Sequence, residues 1–347
     1  MSTKRIAAIA LFLTACAMLT PAIAQPIART PVRIEVPGAR NLQFFTLWVA
    51  LGAGFFQAEG LEPKVLVDTT PRNAGQMLLR GEADVALLQP PMFLGMMAEE
   101  KPILLFASLL ANEPINLVVR KEVAEARQLR ANAPLRERLE AIRGLRVGVA
   151  GEPPPRLRAL FASAGLDAAR DVELVIVPGP EQVQAFAERR VDALFSHTPY
   201  LETALVKHGA VLLVETSSGE VPALADGQIH ALATTRNLAR ERGDLVLAVT
   251  RAIHRAQRLI HSDLKATVDA LIASGAAGAE RELTEAIAAV YGPAVPPTPA
   301  VSVPGIERAA TLYPAHPRAP DFSLVRASDF VAAAFADDAV SGAAPAR

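Results

Sequence analysis

The chain has 347 residues, 51% of them hydrophobic and 20% charged, which is long enough for two cores of ordinary domain size. A formal charge of −1, with no long run of like charge, argues against nucleic acid or an anionic membrane surface as the main partner. Aromatics make up only 5%, so the cores must be built mostly from Ala, Val and Leu. In chain order, the first 24 residues read as an export signal. Lys4 and Arg5 supply the positive start, and residues 6–19 are apolar apart from Thr14 and Cys16. Pro21 breaks the run, and Ala22-Ile23-Ala24 is a small-x-small cleavage site ahead of Gln25. Leu13-Thr14-Ala15-Cys16 also reads as a lipobox, which leaves a lipid anchor through Cys16 open. The apolar stretch 17–24 favours soluble release into the periplasm. No later run of about 18 apolar residues suggests a membrane span. With Cys16 the sole cysteine, a mature chain lacks disulfide, thiol catalysis and cysteine metal sites.

After the signal, a strand–helix–strand–helix–strand pattern occurs twice. The first copy has strands at 33–36, 64–67 and 84–87, with helices at 42–57 and 74–79. The second has strands at 145–149, 173–177 and 192–195, with helices at 156–163 and 181–188. Glycine ends the first helix of each copy, at Glu59-Gly60-Leu61 and Ala164-Gly165-Leu166, where a left-handed cap is expected. Gly60 and Gly165 are 105 residues apart and Asp84 and Asp192 are 108 apart, a period suited to a domain rather than a solenoid. Right-handed crossovers fold each copy into a parallel sheet with helices on both faces. Ligands then sit at the carboxyl ends of the strands. Two facing copies make a cleft lined by residues 37–43, 68–73 and 89–91 and their counterparts.

The remaining segments fit two lobes with crossings between them. Residues 103–107 and 115–120 are β-like, and Asn112-Glu113-Pro114 is the passage out of the first lobe. The charged stretch 122–142 reads as a mostly helical outer face. Residues 211–215 close the second lobe, and 229–234 carry the chain back. Asp244 and Asp263 are placed to cap long helices, and short helices follow near 306–312 and 324–335. The expected division is a signal at 1–24, a discontinuous first lobe at 32–114 and 229–335, a second lobe at 115–228, and a frayed tail at 336–347.

These segments resemble the periplasmic solute-binding proteins of ABC importers, in the branch of nitrate, sulfonate and taurine receptors and thiamine-pyrimidine-precursor binding proteins. The resemblance is carried by Ala53-Gly54-Phe55-Phe56-Gln57-Ala58-Glu59-Gly60-Leu61, Gly81-Glu82-Ala83-Asp84-Val85-Ala86, Gly144-Leu145-Arg146-Val147-Gly148-Val149, Ala164-Gly165-Leu166 and Val191-Asp192-Ala193. It spans residues 32–335. It implies an α/β type II periplasmic binding fold, two doubly wound lobes joined by two hinge strands, closing on one solute. The implied partners are a small molecule and an ABC permease with its ATPase. No cofactor and no metal are expected, and a monomer is.

Strand-end residues are the candidate ligand contacts. Arg40 and Asn41 follow the first strand, and Arg40 suits a carboxylate, sulfonate or phosphate. Phe44 lies near the same loop. Thr69, Thr70 and Asn73 offer hydroxyls or a helix cap; Gln89 and Pro90 end the third strand, and Asn112 lies in the crossing. In the second copy Glu152 and Arg156 flank a triple proline, which lacks the N–H groups of a phosphate cradle. Ser196, His197 and Tyr200 end the last strand, with His197 the pH-sensitive group. Trp48 shares a helical face with Phe45, Gly52 and Phe56 and reads as core. Asp84 and Asp192 recur as a pair but begin strands, away from the cleft, and read as turn caps. No Gly-x-Ser-x-Gly elbow, His-Glu-x-x-His or dinucleotide fingerprint is present. The expectation is a receptor without catalysis. A ligand sensor and a pyrimidine-biosynthesis-like enzyme are the alternatives. The solute is open between a sulfonate, nitrate-like or carboxylate anion and a pyrimidine-type heterocycle.

Overall fold

The computed structural model describes residues 29–38, 41–68, 74–151, 155–313 and 319–342. The export signal with Cys16, the candidates Arg40, Thr69, Thr70, Asn73 and Glu152, and the end of the tail lie outside the described residues.

Two five-stranded sheets organise the chain. The first contains β1 (Thr30–Pro37), β2 (Leu61–Asp68), β3 (Val85–Leu88), β4 (Ile103–Leu110) and β10 (His230–Thr235), in the order β2-β1-β3-β10-β4. The second contains β5 (Asn116–Val119), β6 (Arg146–Val149), β7 (Glu173–Ile176), β8 (Ala193–Ser196) and β9 (Val211–Val214), in the order β7-β6-β8-β5-β9. The two orders are the same once β10 and β5 are matched. In each sheet three strands run parallel, as the repeat predicts. The fourth runs antiparallel to both neighbours, so the sheets are mixed rather than parallel. That strand is the one delivered by a crossing from the other lobe. It enters from the opposite end and therefore points the other way.

The expected helix at 42–57 is broken. A short 3-10 turn, Leu42–Phe44, leads into the helix Phe45–Gly52, and Gly54 at φ 70° separates this from Phe55–Ala58. Gly60 and Gly165 both take left-handed φ, 75° and 73°, as the cap pattern requires. Phe45, Leu47, Val49 and Ala50 are fully buried, and Trp48 is nearly so. The helix packs on Gly243–Ser262 and Leu264–Ala273, which brings C-terminal helices against the first sheet. Asp263 accepts from Ala266 N as a helix cap, whereas Asp244 lies within the first turn of its helix and makes no cap bond. The 122–142 stretch holds two short helices, Lys121–Ala126 and Leu135–Glu140, separated by residues 127–134 with Pro134 at the N-cap of the second. Residues 336–341, expected as part of a frayed tail, belong to a helix at 333–341 that buries Ala336 and Ala339 and packs against Gly243–Ser262. Asp84 and Asp192 are not turn caps; each pairs with an arginine of the neighbouring strand, Arg33 of β1 and Arg146 of β6.

The crossings tie the lobes together. Asn112 donates through Nδ2 to Ser217 O at 3.0 Å and accepts at Oδ1 from Asp226 N at 3.1 Å. Thr216 donates from its hydroxyl to the carbonyls of Glu113 and Ile115. Helix Arg281–Tyr291 packs on Leu264–Ala273 and on Tyr200–His208 of the second lobe, adding a third bridge. Among the described residues no helix is long and apolar enough to cross a membrane.

Candidate functional site between the lobes

Strand ends of both lobes converge on an inner cavity of about 270 Å³. Gln43, Gln89, Pro90 and Pro91 come from the first repeat, Ala150, Arg156 and His197 from the second. Ile115 and Ile229 come from the crossings, His230 from β10, and Tyr313 from the C-terminal segment. A smaller space of about 220 Å³ adjoins it, sharing Ile115, Ala150, Arg156 and His197. On the other side of Gln43 and His197 lies an outer cavity of about 610 Å³, walled by Asn41, Tyr200 and residues 276–287. Pockets of this size suit small solutes.

Local bonding holds each wall. Asn41 Oδ1 accepts from Gln43 N, and Asn41 O accepts from Trp48 Nε1 at 2.6 Å, pinning the loop to the buried helix. Gln43 O accepts from Tyr291 Oη at 2.9 Å and lies 3.1 Å from His230 Nδ1. The Gln43 amide reaches across the cleft to His197, 3.2 Å from Nδ1 and 3.4 Å from Nε2. His197 Nδ1 also sits 2.6 Å from Thr198 O, and the ring lies 5.3 Å from that of Tyr200. Burial lowers the pKa of both histidines, that of His230 to about 3, so both rings are neutral at pH 7. Burial thus favours the neutral His197 ring, which hydrogen-bonds to Gln43 and Thr198.

Arg156 occupies the boundary between the two inner spaces. Its Nη1 is 3.3 Å from Glu113 Oε1, and its guanidinium lies 4.6 Å over the Tyr313 ring. Tyr313 Oη donates to Glu113 Oε2 at 2.5 Å. Glu113 is completely buried. Burial opposes the Arg156 charge, but Glu113 and Tyr313 outweigh it and keep the guanidinium protonated. Arg156 Nε has no hydrogen-bond partner among the described residues.

Of the described candidates, Gln89, Pro90, Arg156 and His197 line the inner cavity, and Asn41, His197 and Tyr200 the outer one. Three others are placed differently from expectation. Phe44 is 1% exposed and stacks edge-on against His230, so it supports the cavity wall from beneath. Ser196 borders the smaller space, but it is buried and its hydroxyl donates to Gln182 Oε1, which spends it within the second lobe. Asn112 has both ends of its amide committed to the crossings. Sequence reasoning did not single out Gln43, Glu113, His230 or Tyr313. Gln43 and Glu113 lie in segments already marked as loop and passage, whereas no local pattern marks Tyr313. Among the described residues no group of three or more His, Cys, Asp or Glu side chains forms a metal site.

Two lobes of like topology, joined by crossings and enclosing a cavity, define the fold of the periplasmic solute-binding proteins. Solved structures with this fold include a protein from Bordetella bronchiseptica RB50, with 20% identity over 92% of this chain and 99% of that one and a TM-score of 0.63. The alkanesulfonate-binding protein SsuA from Xanthomonas axonopodis pv. citri, bound to MOPS, matches at 17% identity over 89% and 99%, TM-score 0.57. The desulfurization enzyme DSZB shares the fold too, at 16% identity over 90% and 99%, TM-score 0.56. The model of the NMT1-like family matches residues 39–274, and the chain belongs to that family. No match was found among curated proteins.

Proposed function

We propose that this chain is the extracytoplasmic solute-binding component of an ABC importer, enclosing one small solute between its lobes and presenting it to a permease. The observation that carries this reading is the inner cavity, whose walls come from both repeats, both crossings and the C-terminal segment. Hinged closure over such a space is how two-lobed receptors trap ligand. The similarity to an alkanesulfonate-binding protein supports a solute of comparable size, among the anions and heterocycles expected from the sequence.

Likeness to DSZB raises the enzymatic alternative. Against it, Ser196 donates to Gln182 and not to the ring of His197, so these neighbours do not form a nucleophile–base pair. A thermal-shift screen of the exported protein against sulfonates, nitrate, carboxylates and pyrimidines tests the receptor reading. A true solute binds only the folded form and must raise the melting temperature by mass action. Absence of any rise at millimolar concentrations across all four classes rejects the reading. Chemical conversion of a bound solute replaces it with the enzymatic one.

A further inference from the structure

We infer that Glu113 determines specificity by neutralising Arg156, making the inner cavity a site for small uncharged polar solutes rather than simple anions. The inference rests on the receptor reading and concerns which solute that receptor accepts.

Arg156 is the single arginine or lysine among the described residues lining the inner cavity and its smaller neighbour. From sequence it is the natural anchor for an anion. The fold gives its charge to Glu113 instead, a carboxylate with no exposed surface and a rigid seat. Glu113 N donates to Leu224 O, its carbonyl accepts from Thr216 Oγ1, and its second carboxylate oxygen accepts from Tyr313 Oη. Tyr313 in turn lies beneath the guanidinium plane. An anion approaching Arg156 thus meets a guanidinium already paired with a fixed buried carboxylate, whose repulsion offsets part of the attraction. The histidines supply no compensating charge near neutrality, because burial keeps both rings neutral.

What the cavity does offer is uncharged hydrogen bonding. Gln43 and Gln89 carry amide donors and acceptors, and His197 and His230 carry imidazole nitrogens. A solute with both donors and acceptors satisfies these groups; a compact oxyanion, an acceptor alone, leaves the acceptors facing it unpaired.

The test is calorimetric titration of methanesulfonate into the wild-type protein, Glu113→Gln and Glu113→Gln/Arg156→Met. Removing the carboxylate charge should free Arg156, so the single variant should bind methanesulfonate roughly tenfold or more tightly than wild type. The double variant should lose that gain. Equal binding by wild type and Glu113→Gln overturns the inference. Where Glu113→Gln does not fold, wild type is compared with Arg156→Met: equally weak binding supports the inference, and wild-type binding that depends on Arg156 overturns it. The gain in Glu113→Gln does not require the native solute, so it is scored separately from the solute screen on which the receptor reading depends.

Discussion

Asp84 accepts three hydrogen bonds from Arg33: from its backbone N at 2.8 Å, its Nε at 3.1 Å and its Nη2 at 2.7 Å. In the second lobe Asp192 accepts the same three from Arg146, at 3.0, 3.0 and 2.8 Å. Each aspartate N also donates to the carbonyl of its arginine. The pair locks the first and third strands of each repeat in register, which is why the aspartates recur far from the cleft.

This arrangement predicts matched losses of stability. Asp84→Ala and Asp192→Ala should each cost about 1.5–3 kcal/mol in urea unfolding at pH 7, a range set by charge-assisted hydrogen bonds. The half-exposed arginines favour its lower end. The pairs share no partner, so the double variant should show the sum to within about 0.5 kcal/mol. At Asp84 burial raises the carboxyl pKa, but the Arg33 bonds outweigh it; at Asp192 the Arg146 side chain is the main cause of a lowered value. A depressed folded pKa gives stability that is present above the unfolded value and lost as pH falls through the folded one. The wild-type advantage over both variants should therefore shrink below about pH 4.

Glu202 predicts the opposite pH trend. It is buried, and burial pushes its carboxyl up to about 7, with its own backbone N–H and Thr198 offsetting only part. The folded state thus holds a proton that the unfolded state releases near 4.5. Stability from this group is greatest below the unfolded value and declines as pH rises towards 7. The interval corresponds to about 3 kcal/mol. Urea unfolding of wild type and Glu202→Gln at pH 5 and pH 8 measures it. The variant should gain relative stability at pH 8, and parallel curves at the two pH values would contradict the assignment.

Gly52 predicts a packing limit on the buried helix. A β-carbon there would lie 1.8 Å from the carbonyl oxygen of Ala270 and 2.9 Å from Ser274 N, both backbone atoms of a neighbouring segment. Gly52→Ala must push the helices apart, at a cost of about 3 kcal/mol or more. Gly278→Ala meets nothing within 4 Å and serves as the comparison. A melting temperature for Gly52→Ala equal to that of Gly278→Ala would show that the close approach is not tight in solution.

The Gln43–His197 contact predicts an effect on binding. It spans the lobes and separates the inner cavity from the outer one. Gln43→Ala removes about 1 kcal/mol of bonding between the lobes, which corresponds to about fivefold weaker affinity for the solute found in the thermal screen. Titration calorimetry reads this directly, and unchanged affinity would remove Gln43 from the closing interface.

The sequence by itself determined the order of strands and helices in each repeat, the glycine caps at Gly60 and Gly165, and the strand ends where a cleft must open. These features depend on hydrophobic periodicity and on backbone conformations available within a few residues. It also marked Arg156 and His197, because residues at the carboxyl ends of parallel strands face such a cleft. The antiparallel fourth strand and the burial of Phe44 were decided only when distant segments met. So was the state of Arg156, whose partner Glu113 is 43 residues away and whose stacked Tyr313 bonds Glu113 across 200. The Gln43–His197 contact spans 154 residues and belongs to the same class. Local pattern places a charge at a strand end. Whether that charge is free for a ligand depends on which buried carboxylate the tertiary fold sets beside it, since an unpaired buried ion is too costly to leave.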